Sequence, residues 1–285
     1  MQALRLAAGA VEAVLLPEAG ARLHRLRAFG HDLLRTPDDP GAHTQDPFFW
    51  GAYVMAPWCN RIETAPTPVG GRVVEMPPNF ADGTAIHGQV YSRPWTVDAD
   101  GVTCRCVAGG DGWPWRYEAS LRPRLDDAQL GLDLRLVNRS DEPMPAGLGL
   151  HPWWRRPVEV AFRAGSVYPS NADSPVRPIP AVDDWDLSRL ALPPVGLDAT
   201  WTDLAVPAVE LAWPDLGVAA TLSLSASADH VVVATPTDPD ATALEMQSHA
   251  PDGLRRLLAG EPGALRWLPP GAELRLELNL AVRRC

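Results

Sequence analysis

Between Gln129 and Asn138 apolar and polar side chains alternate, with Leu130, Leu132, Leu134 and Leu136 set against Gly131, Asp133 and Arg135. A period of two puts each set on its own face of an extended strand, so the segment predicts a strand with one buried and one wet side. The same alternation runs through Arg116 to Leu125, where Tyr117, Ala119 and Leu121 share a face. It returns at the end of the chain, where Ala272, Leu274, Leu276, Leu278, Leu280 and Val282 alternate with mostly charged or polar partners. Shorter strands are predicted at Leu4 to Leu16, Ala21 to Phe29, Arg72 to Glu75, Trp95 to Val97, Val102 to Val107, Val158 to Phe162, Val209 to Trp213, Val218 to Leu224 and Val231 to Ala234. Helical periodicity is confined to Asp183 to Leu190 and Gly253 to Ala259, both short connectors. Strands without long intervening helices argue against a parallel βαβ sheet. They predict an all-β fold, a large antiparallel β-sandwich with few short helices. No repeat and no linker-like break in composition appears, so residues 1–285 read as one domain.

Composition narrows the chemistry. The 30 prolines among 285 residues are dispersed between apolar runs and punctuate many short elements. All 25 basic residues are arginines. Without lysine there is no Schiff base, no pyridoxal-phosphate attachment, no Walker A cradle and no lysine-based kinase site. A net charge of -10 with no basic block predicts no nucleic-acid partner. The start of the chain lacks the pattern of a signal peptide, and no apolar run nears the ~20 residues that span a bilayer. No membrane partner and a cytoplasmic location are therefore expected. Cys59, Cys104, Cys106 and Cys285 match no zinc pattern and read as reduced thiols. The seven histidines form neither H-E-x-x-H nor H-x-H, so no metal is expected. No G-x-S-x-G, G-x-G-x-x-G or P-loop is present, which leaves acid-base chemistry.

Three apolar, glycine-flanked segments are interrupted by polar or ionisable groups. The first is Pro57 to Ile62 with Ala85 to Gly88, the second Gly147 to Trp154, and the third Ala243 to Ser248. In the second, a strand-like stretch ends at His151, and Pro152 biases that histidine toward extended backbone, a rigid placement suited to catalysis. In the third, alternation points Glu245 away from Leu244 and Met246, and burial there raises a carboxyl pKa. Taken singly, each residue also reads as structural: His151 and His87 as hydrogen-bonded core histidines, Glu245 as a solvated acid, Asn60 and Arg61 as a turn amide and an ion-pair partner.

Taken together and in order, these segments resemble the aldose 1-epimerase (mutarotase) family of the galactose mutarotase-like superfamily. The matching stretches are N-R-I at Asn60 to Ile62, I-H-G at Ile86 to Gly88, G-L-G-L-H-P-W-W at Gly147 to Trp154, G-L-D at Gly196 to Asp198 and L-E-M-Q-S at Leu244 to Ser248. The stretch from Leu15 to Leu34 resembles the family's opening hairpin. The resemblance implies a supersandwich fold, a small-molecule sugar as partner and no cofactor. It implies that Glu245 is the general base and His151 the general acid. It also implies that His87 and Arg61, with Asn60 beside them, hold sugar oxygens, that Asp198 accepts from sugar hydroxyls, and that Trp153 contacts the ring; Trp58 is a weaker candidate for that contact. The chain departs from the family at Met246, where proline is common, and at Ala199, where histidine often follows the aspartate.

The implied reaction interconverts the α and β anomers of a free aldose. A base takes the C1 hydroxyl proton while an acid protonates the ring oxygen; after rotation about C1–C2 the roles reverse. Reference pKa values of ~4.3 for Glu and ~6.5 for His give an ionised base and a partly protonated acid before burial acts. Ionised Glu245 is expected to raise the pKa of His151, with the two facing each other across the width of one sugar ring. Two readings stay open beside this one: a hexose-6-phosphate 1-epimerase using Arg61, Arg93, Arg155 and Arg156 for the phosphate, and a non-catalytic carbohydrate-binding protein. A glycoside hydrolase using Glu245 and Asp198 is a third class, in which the histidine acid would be redundant.

Overall fold

The computed structural model describes residues 2–170 and 177–285. Two large antiparallel sheets dominate it. The eight-stranded sheet runs Thr96–Val97, Cys104–Gly110, Trp113–Asp126, Gln129–Asn138, Glu273–Arg284, Val218–Leu224, Ala208–Trp213 and Glu159–Ala161. Its long central strands are the ones with clear alternation: Leu130 pairs with Leu280, Leu132 with Leu278 and Leu134 with Leu276, all buried. The alternate residues Asp133, Arg135, Arg275 and Glu277 form an ion-pair network on the other face.

The eleven-stranded sheet follows the order Leu4–Ala8, Val11–Leu16, Arg22–Ala28, Ala52–Met55, Gly149–Arg155, Ala241–Gln247, His230–Ala234, Asp198–Leu204, Ala164–Pro169 and Ile179–Pro180, with His31–Asp32 beside Arg22–Ala28. One face packs on the eight-stranded sheet: Leu150, Met246 and Trp154 meet Leu132, Leu222 and Leu278. The all-β antiparallel sandwich expected from the sequence is present.

Several details differ from expectation. Leu4 to Leu16 is a hairpin that turns at Gly9 and Ala10, not one strand. Asp183 to Leu190 contains only the 3-10 turn Asp183–Trp185, whereas Gly253–Ala259 is a helix. The stretch around His151 continues as a strand to Arg155, because Pro152 lacks an N–H but its neighbours still pair on both sides. All four cysteines are unpaired thiols, three of them buried. Among the described residues no helix is long and apolar enough to cross a membrane.

Gly149 shows how tightly the centre of this sheet is built. A Cβ there would lie 2.7 Å from both Cys59 Sγ and Met55 Cε and 2.8 Å from the Met246 carbonyl oxygen. Gly149→Ala is therefore expected to destabilise the protein by about 1–3 kcal/mol, the usual cost of overpacking, seen as a lower urea midpoint at unchanged slope.

Candidate active site

The register of the eleven-stranded sheet explains how residues distant in sequence meet. Leu150 pairs with Met246 and Trp153 with Ala243, so His151 lies directly opposite Glu245. His151 also pairs with Tyr53, Glu245 with Val232, and Val232 with Thr200. Residues directly opposed across strands point to the same face. One row across the outer face thus reads Tyr53, His151, Glu245, Val232, Thr200. The next row carries Trp153, Ala243, Ala234 and Asp198. Its two alanines leave a hollow between an indole and a carboxylate.

That hollow has a volume of about 270 Å³. His87, His151, Trp153 and Asp198 line it together with Tyr53, Phe48, Phe49, Phe80 and the Gly196–Leu197 turn. Glu245 is not itself in that lining but lies beside His151, with Nε2 of the histidine 3.2 Å from Oε1 of the glutamate and both side chains 5% exposed. The carboxyl and the imidazole therefore stand side by side, not facing each other across the width of a sugar as expected. Adjacent placement suits their task, because the C1 hydroxyl and the ring oxygen are bonded to the same carbon.

His151 is boxed by rings. Tyr53 stacks on it at 4.6 Å between centroids, and His87 meets it edge-on at 5.0 Å. His87 sits at φ +60, its backbone N–H donating to the Asn60 carbonyl. The glycine after it is required: a Cβ on Gly88 would fall 1.9 Å from the Ala56 carbonyl oxygen, where the two segments bridge. The I-H-G and N-R-I motifs are thus two halves of one close crossing.

Burial controls the electrostatics. It pushes the Glu245 carboxyl up to about 8, with Asp198 adding to the rise and Arg61 opposing it. It pulls His151 down to about 3, with Arg22 lowering it further and a backbone hydrogen bond opposing. A neighbouring carboxylate was expected to raise His151, but burial lowers it instead, because desolvation disfavours the charged imidazole. His87 is lowered by burial and by His151 and Arg61. Asp198 is raised by protein packed round its carboxyl, although the residue keeps solvent exposure and accepts a bond from Ser170 Oγ at 3.0 Å. Oε2 of Glu245 and Nδ1 of both His87 and His151 are buried with no partner among the described residues.

The remaining sequence candidates are placed differently. Asn60 donates to Gln247 at 3.3 Å and is absent from the lining. Arg61 pairs with Asp82 at 2.7 Å and lines a neighbouring hollow with Asp252, Leu254 and Arg255; it bears on Glu245 and Asp198 only as a nearby charge. Trp58 is fully buried against Trp113 and belongs to the core. Arg93, Arg155 and Arg156 pair with Asp111, Asp215 and Asp240, so the arginines considered for a phosphate do not converge on the lining.

Sequence reading missed Tyr53, Phe48, Phe49 and two tethers of the Asn60 segment. Gln247 accepts from Asn60, and His249 accepts from the Cys59 backbone N–H at 2.9 Å. The apolar run Ala52–Met55 and the pair Phe48-Phe49 carry no polar signal. Gln247 could have been found, since it lies two residues beyond Glu245 and hence on the same face. His87, His151 and Glu245 also bring one ligand atom each within 4.8 Å of one another, and among the described residues they are the group able to hold a metal ion. They come from three separate segments, which no short spacing motif would reveal. A larger hollow of about 640 Å³ lies on the eight-stranded sheet; two of its three acids, Asp133 and Glu277, are tied to arginines, and no histidine among the described residues lines it.

The family model for aldose 1-epimerase matches residues 2–280. The chain belongs to the aldose 1-epimerase family. No curated protein sequence matches it. Solved structures of this fold align over nearly the whole chain. A candidate aldose 1-epimerase from Escherichia coli K12 is 20% identical, with coverage of 100% and 99% of the two chains and a TM-score of 0.84. A galactose mutarotase-like protein from Clostridium acetobutylicum is 18% identical, covering 99% and 95% at 0.81. The GalM/aldose epimerase homologue from C. elegans is 16% identical, covering 99% of each chain at 0.81. At these identities the likeness shows the galactose mutarotase-like fold, while the family match carries the mutarotase-like, isomerase-type assignment.

Proposed function

We propose that this family member interconverts the α and β anomers of a free, unphosphorylated aldose by ring opening and closure, with Glu245 and His151 as the proton-transferring pair. The observation that carries the reading is the pair itself: a carboxyl and an imidazole 3.2 Å apart, the imidazole lining an aromatic-walled hollow of about 270 Å³ and the carboxyl beside it. Such a pair holds one proton to give and one lone pair to accept. One group protonates the ring oxygen while the other takes the C1 hydroxyl proton, and closure on the other carbonyl face restores the starting state. His87 and Asp198 offer polar atoms for other hydroxyls, and Trp153 offers a ring face for the sugar's C–H patch. Arg61 and Asn60 act in this reading through their tethers and charge.

A neutral substrate is favoured over a sugar phosphate because no arginine among the described residues lines the hollow, and Arg61, the cation nearby, is already paired with Asp82. A purely sugar-binding role is disfavoured by the adjacent imidazole and carboxyl, each of which keeps its second polar atom buried with no partner among the described residues. NMR exchange measurements on free aldoses and their 6-phosphates test both points. Accelerated anomer exchange is expected for at least one free aldose, with little or none for the phosphates. Acceleration confined to phosphates would overturn the substrate class, and binding without acceleration would overturn the enzyme.

A further inference from the structure

Behind the catalytic row lies a buried cation that the proton-transfer scheme does not use. Arg22 is 0% exposed and forms no ion pair among the described residues. Burying a guanidinium outside any ion pair is costly, and Asp46 offsets that cost only as a more distant charge. It donates to three main-chain carbonyls, those of Pro47 at 2.6 Å, Trp50 at 2.8 Å and Tyr91 at 3.3 Å. Its guanidinium carbon also stands 4.7 Å from the centroid of the Tyr53 ring, and Tyr53 stacks on His151.

Two parts of the site depend on these contacts. Pro47 and Trp50 bracket Phe48 and Phe49, which wall the hollow; the Phe48 carbonyl accepts from the Trp153 indole N–H, and Phe49 packs on that indole at 5.7 Å. Tyr53 in turn sets the plane of the imidazole. A planar fork with five donors can reach three carbonyls and still present its face to a ring, which a lysine ammonium cannot do.

We propose that Arg22 is a positioning residue of the epimerase: its fork fixes the Phe48–Phe49 wall that holds the sugar, and its cationic face fixes the Tyr53 ring that orients His151. This rests on the anomer-exchange reading above. Arg22 touches neither sugar nor reacting atoms; it acts through the wall and the ring.

The fork and the cationic face are separable. In Arg22→Met both are lost, and kcat/KM is expected to fall about 10²-fold, the scale of an ångström-level misplacement. In Arg22→Lys the charge over Tyr53 remains while the fork is lost, so kcat recovers toward wild type and KM stays raised. Arg27→Met, on the same strand but paired with Asp32, is expected to match wild type in both constants. A folded Arg22→Met with wild-type kcat and KM overturns the proposal. If Arg22→Met does not unfold cooperatively, Arg22→Lys decides: a raised KM at recovered kcat supports it, and an unchanged KM overturns it. Wild type no faster than buffer would instead bring down the epimerase reading, an outcome distinct from an active wild type with an equally active Arg22→Met.

Discussion

Glu245→Gln is expected to lose about 10²–10⁴-fold of the enzymic acceleration of anomer exchange, the usual contribution of a positioned acid-base group. The amide fills the same volume between His151 and Val232 but can neither take up nor release a proton. The same substitution should make the protein more stable at alkaline pH. The folded-state pKa of Glu245 is raised, from 4.5 to about 8, so the protonated form is favoured in the folded protein. Relative stability from that group is fully present below the unfolded value and is lost as pH rises through about 8. Glutamine has no such loss. Urea denaturation should therefore show the variant gaining on wild type between pH 6 and pH 9. A variant that is inactive and also less stable at pH 9 would point to a structural glutamate that ionises in the folded state.

His151→Gln should cost activity on the same scale, and the wild-type pH profile shows why. Catalysis needs one proton on the pair. With both groups protonated no base remains, and with neither protonated no acid remains. Burial separates the two steps, to about 3 for His151 and about 8 for Glu245, so the active state spans the range between them. The rate should be flat through neutrality and fall on the alkaline side near pH 8. Unshifted groups would instead lose rate as pH rises above the ordinary histidine value of ~6.5. Stopped-flow polarimetry of wild type from pH 5 to pH 9.5 distinguishes the two, and a rate that falls already between pH 6 and 7 counts against the buried pair. In Glu245→Gln the residual rate should carry no alkaline limb near pH 8, because the group that titrates there is gone.

Half of the fold was legible from alternation, and the other half was hidden for a physical reason. Gln129–Asn138 and Glu273–Arg284 each have one face in the core and one in water, so their pattern has a period of two. Ala52–Met55, Gly149–Arg155 and Ala241–Gln247 are buried on both faces, by the facing sheet on one side and by the loops of the hollow on the other. Such strands lose their alternation, as central strands of covered sheets do. The strands that carry the chemistry were therefore those that periodicity could not find. Glu245 and His151 were found because an ionisable residue in such a run is conspicuous. Tyr53, Phe48 and Phe49 were not, because an aromatic in an apolar run looks like core. Arg61 sits beside the site with its side chain paired to Asp82, and it bears on Glu245 and Asp198 as a charge.

The proposed epimerase requires Glu245 and His151 to act as one unit, and a double-mutant cycle tests that most directly. Polarimetry of freshly dissolved α-aldose would be followed with wild type, Glu245→Gln, His151→Gln and the double variant at pH 7. If the two groups pass one proton between substrate and floor, either single loss disables the unit, and all three variants fall to one common residual rate. Independent, multiplicative losses, or a Glu245→Gln variant as fast as wild type, would contradict it.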